Sequence, residues 1–105
     1  MKKPKKLADQ SQPQQENYVR QQAKDTKNIV FTNHVLKRMK QRKITMPCVV
    51  DALRNGRMKQ PAEIDIKTGQ LVCRLERYVA GRDLIVAVAI DDDDPNLIVV
   101  TAMNQ

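Results

Sequence analysis

The sequence predicts an α+β domain: a helix hairpin packed on a four-stranded antiparallel sheet. Three observations carry that expectation. Large apolar residues are concentrated after residue 28 of the 105. Between Val30 and Gly56 they recur at helical spacing, and from residue 62 the period changes to two. The chain is too short for more than one domain, and with aromatic residues at 3% its core must rest on Val, Ile, Leu, Met and Ala.

Residues 1–28 read as a basic, flexible tail, separate from a folded domain over 29–105. They are rich in Gln, Lys and Asp, contain Pro4 and Pro13, and are poor in large apolar groups, with Tyr18 and Val19 a thin apolar face over Glu16–Lys24. So little apolar area cannot offset the entropy of ordering. The stretch from Glu16 to Lys24 could become helical only against a partner.

Order is expected to begin near Val30. Thr32 suits an N-cap, with Phe31 and Leu36 as the two ends of a hydrophobic staple. Val35, Leu36 and Met39 then form an apolar stripe, while His34, Arg38 and Arg42 form a second stripe along its edge. Lys37 and Lys40 point away to solvent. The same pattern repeats with Thr45 as cap, Ile44 and Val49 as staple, and Pro47 in the first turn. Val49, Ala52 and Leu53 supply the buried face, and Gly56 suits a left-handed position after the helix.

Four strands follow. Ala62–Ile66 is a short one, and Lys67–Gln70 is a turn. Leu71–Tyr78 alternates, Ala80-Gly81-Arg82 makes a hairpin, and Asp83–Ile90 is apolar enough for a central strand. The Asp91–Asn96 loop reads as a solvated turn rather than a metal site, because four consecutive carboxylates cannot converge on one ion. Leu97–Met103 is the last strand.

Charge narrows the function classes. The net +7 is divided as +4 over residues 1–28, +5 over 29–43, +2 over 44–60 and −4 from 61 onward. Basic charge focused on one half of a chain suits a polyanion. Cys48 and Cys73 sit inside apolar patterns without metal-ligand spacing, which suggests core residues in a reducing, cytoplasmic setting. No apolar run approaches membrane-spanning length, and no cofactor loop or metal set is present. Base-stacking aromatics are scarce, which argues against a broad single-strand platform.

His34, Arg38, Met39, Arg42 and Ile44 fit a His-x3-Arg-Met-x2-Arg-x-Ile pattern. Val50, Ala52, Leu53, Gly56, Arg74 and a closing Val100-Thr101 follow in one register. Over about residues 31–104 the chain resembles the domain-of-unknown-function family 4258, which is similar in build to the RelE/ParE/BrnT group of small bacterial toxins. The resemblance implies a RelE/ParE-like fold and a toxin-type RNA-binding domain acting as an endoribonuclease, with RNA or another nucleic acid, ribosomes, and an antitoxin or immunity protein as expected partners. It does not fix function, since relatives of that fold include ribonucleases, gyrase poisons and proteins without known activity.

His34 is the sole histidine, and a neutral imidazole beside two guanidiniums suits a general base acting on an anionic substrate. The candidate catalytic set is His34, Arg42, Arg74 and Glu76, with Tyr78 as another proton-transfer candidate. Arg38, Lys37, Arg77, Lys2, Lys3, Lys5 and Lys6 are candidate nucleic-acid contacts. Two further readings remain open. The first is a non-catalytic module gripping nucleic acid or an acidic protein. In the second, His34 packs locally while the arginines pair with Glu76 and Asp83.

Overall fold

The computed structural model describes residues 7–91 and 94–104. Its first helix, α1 (Gln12–Ala23), lies within the segment expected to be flexible. That expectation is overturned for residues 7–28, while Lys2, Lys3, Lys5 and Lys6 lie outside the described residues. Ser11 caps α1 through a capping box with Gln14, and Val19, Ala23 and Gln15 are buried. The apolar face is thin, as the sequence says, and polar groups complete it. Gln15 Nε2 donates to the Leu7 carbonyl and its Oε1 accepts from the Ala62 amide. Glu16 accepts from the Met58 amide, and Arg54 donates to the Ala23 and Lys24 carbonyls at the end of α1. The partner that makes this segment helical is the rest of its own chain.

After a short 3₁₀ turn (Thr26–Asn28) comes β1 (Ile29–Phe31), then α2 (Asn33–Gln41) and α3 (Met46–Asn55). The expected caps are present: Thr32 accepts from the Val35 amide and Thr45 from the Cys48 amide. The two helices do not close into a packed hairpin. α2 lies on β5 (Asp94–Asn104), whereas α3 lies on β3 (Leu71–Val79) and β4 (Arg82–Asp91) with α1 alongside it. Gly56 is not left-handed, at φ −72°. It is needed because a Cβ there would stand 2.3 Å from the Ala52 carbonyl oxygen and 3.0 Å from that of Glu76.

The sheet has five strands in the order β1-β5-β4-β3-β2, with β2 reduced to Glu63–Ile64. It is mixed rather than antiparallel, because β1 runs parallel to β5. Three residues carry no strand period of their own, and their pairing with a partner almost seventy positions away is a long-range event. β4 and β5 extend to Asp91 and Asp94, while Asp92 and Asp93 lie outside the described residues.

One face of the sheet is covered by the helices and holds the core, including Cys73, Leu75, Val86, Val88, Leu97 and Val99. Alternation sends Val72, Arg74, Glu76 and Tyr78 of β3 to the other face. There Ala87 and Ala89 of β4 are only 4% and 2% exposed although they lie outside the core cluster. They are small residues on the central strand, flanked by β3 and β5.

Candidate functional site

The His34, Arg38 and Arg42 stripe of α2 runs along β5. Together with Val100–Met103 it lines a groove of about 250 Å³. His34 and Arg38 are exposed, and Val35 and Met39 bury the adjoining side of the helix.

A bulge in β5 decides what else faces this groove. Val88 pairs with Val99 but Ala87 pairs with Thr101, so Val100 is an extra residue. The phase of the strand flips there. Ala102 turns into the core at 2% exposure, while Thr101 and Met103 turn to the open face. Sequence reasoning did not select Thr101, because unbroken alternation from Val99 puts it in the core.

Register then connects Thr101 to a candidate on another strand. Arg74 is opposite Ala87, and Ala87 is opposite Thr101. Two strand spacings separate Arg74 from Thr101, about 10 Å. Ala87 thus lies between Arg74 and Thr101 on this face, and Thr101 in turn lines the groove with His34 and Arg38 of α2. Arg74 is half exposed and makes only a loose ion pair, with its Nη1 3.8 Å from Glu63 Oε2.

The remaining candidates fall elsewhere. Arg42 Nη1 donates to the Ala102 carbonyl at 2.9 Å, and its own carbonyl accepts from Arg82 Nη1 and Asn104 Nδ2. It braces the end of α2 against the sheet. Glu76 belongs to the next row, opposite Ile85 and then Met103, and its carboxylate pairs with Lys59 at 3.1 Å. Arg77 faces the helical side, where its Nε meets Asp51 Oδ2 at 3.0 Å. Lys37 is exposed but does not line the groove.

Among the described residues, no cluster of three or more His, Cys, Asp or Glu could hold a metal ion. No helix among them is long and apolar enough to cross a membrane.

Residues 31–104 match the family described as a domain of unknown function, DUF4258. The chain belongs to DUF4258. No curated protein and no solved structure matches it. The DUF4258 region contains β1 from its last residue, both later helices and the antiparallel strands, and therefore the whole groove. α1 precedes the DUF4258 region and packs against α3 and the sheet.

Proposed function

We propose that this chain is a toxin-type RNA-binding domain that cleaves RNA, with His34 as general base. The observation that carries the reading is the row from Arg74 through Ala87 to Thr101, which ends at the His34–Arg38 groove. Arg38 holds a phosphate in the groove, the Thr101 hydroxyl supplies a further donor, and Arg74 holds a neighbouring phosphate of the RNA across the sheet. His34 takes the proton of a ribose 2′-hydroxyl, whose oxygen attacks phosphorus and displaces the 5′-oxygen. The open trough lets water protonate the leaving oxygen. In this reading Arg42 positions α2, and Glu76 borders the site.

A second reading, binding without cleavage, has specific support. Two members of the expected catalytic set are already engaged, Arg42 with Ala102 and Glu76 with Lys59. End-labelled RNA incubated with the purified protein, with and without ribosomes, separates the two. Cleavage by the wild type that His34→Ala removes while binding survives supports the first. Salt-dependent binding without cleavage, unchanged in His34→Ala, supports the second. Absence of RNA binding even at low salt overturns both.

A further inference from the structure

A second cleft opens at the far end of the sheet, on the margin of β3 beyond the reach of β2. It measures about 450 Å³, inside the range of small-ligand sites, roughly 300–1,000 Å³. The Ala80-Gly81 turn, with both residues at positive φ (54° and 81°), sets its geometry. That turn fixes the register so that Tyr78 stands directly opposite Asp83, with both side chains on the same face.

The chemistry of the cleft is specific. Tyr78 is 67% exposed and offers a free aromatic face. The Asp83 carboxylate has no ion pair or hydrogen bond among the described residues, and neither has the Arg57 guanidinium. Lys59 stands beside them, held by Glu76 at 3.1 Å. Asn55 and Arg77, the latter paired with Asp51, complete the wall.

We infer that this cleft is a guanine-nucleotide subsite, in which the base stacks on Tyr78, Asp83 reads its edge, and Arg57 and Lys59 hold phosphate. Stacking on an aromatic ring takes any base, so selectivity must come from the carboxylate. A carboxylate only accepts hydrogen bonds. Guanine presents two adjacent donors, N1–H and the 2-amino group. Adenine and cytosine place an acceptor nitrogen beside their amino group, which repels a carboxylate, and uracil presents a single donor. The guanine can be a residue of an RNA chain or a free nucleotide. The RNA version rests on the function proposed above and adds a base preference to it. The free-nucleotide version stands without it.

The test uses the full chain and two mononucleotides, GMP and AMP, followed by amide shifts in NMR and by calorimetry. GMP should bind about tenfold more tightly than AMP, the scale of one bidentate base contact. Asp83→Asn should remove that preference, and Tyr78→Ala should weaken both ligands. Both substituted side chains are exposed, and a thermal melt checks that the variants remain folded. Equal weak binding of GMP and AMP, shifts confined to other amides, or a preference that survives Asp83→Asn overturns the inference. An RNA oligonucleotide with one guanine tells the sources apart. Tighter binding than an all-uridine control, lost in Asp83→Asn, supports the RNA version. GMP binding without RNA binding supports a free-nucleotide site and removes the groove's proposed role instead.

Discussion

The Ile44 amide donates to the Met39 carbonyl at 2.8 Å, closing a ring around Lys43, which is left-handed at φ 57°. The Lys43 amide donates to the Lys40 carbonyl at 3.2 Å. Together these bonds make a Schellman end to α2, with lysine where glycine is usual. Left-handed backbone strains a residue with a Cβ. Lys43→Gly should therefore stabilise the fold by about 0.5–1 kcal/mol. Urea midpoints measure this, and a lower midpoint would show that the lysine side chain supports the turn.

Arg42 and Arg38 should separate in the same experiment. Arg42 ties α2 to the Ala102 carbonyl, so Arg42→Ala should lower stability by about 1–3 kcal/mol and weaken RNA binding together. Arg38 is exposed and makes no such bond. Arg38→Ala should leave the melting curve almost unchanged while weakening binding and reducing its salt slope by about 0.7–0.9. Equal loss of stability in both variants would contradict the assignment of Arg42 as the brace.

The N-terminal helix should prove integral. Val19 is fully buried against the domain, so Val19→Ala should cost about 2 kcal/mol. Removing residues 1–28 should cost far more, since it also strips Gln15 and Glu16 from the Met58–Ala62 backbone. A truncated chain that melts with the full one would return the segment to the status of a tail.

Burial pushes the Cys73 thiol up to about 12, against 9.0 for an exposed thiol. The folded state thus keeps its proton where the unfolded chain loses it. Stability from this group is complete below pH 9 and is lost as pH rises toward 12, by about 1.4 kcal/mol per pH unit. Denaturation of wild type and Cys73→Ala across that window should show a shallower decline in the variant. Thiol reagents should label the half-buried Cys48 in the native state well before Cys73.

What the sequence determined by itself was local. The caps at Thr32 and Thr45, the spacing of His34, Arg38 and Arg42, and the strand character of Leu71–Tyr78, Asp83–Ile90 and Leu97–Met103 all follow from residues within a few positions of each other. Their physical basis is short-range: side chain to backbone amide, turn to turn, pleat to pleat. Only tertiary structure decided the rest. β1 exists because β5 offers it a parallel edge, and α1 is ordered because the backbone at Met58 and Ala62 completes its polar groups. The site divided along the same line. Helical periodicity placed three side chains on one stripe, but a single extra residue at Val100 exchanged the faces of Thr101 and Ala102. Strand register, set by turns and pairing across the sheet, then brought Arg74 into line with Thr101 and sent Arg77 to Asp51 on the opposite face. Local sequence carries no record of which residue will stand two strands away, because that is settled by the pairing of whole strands.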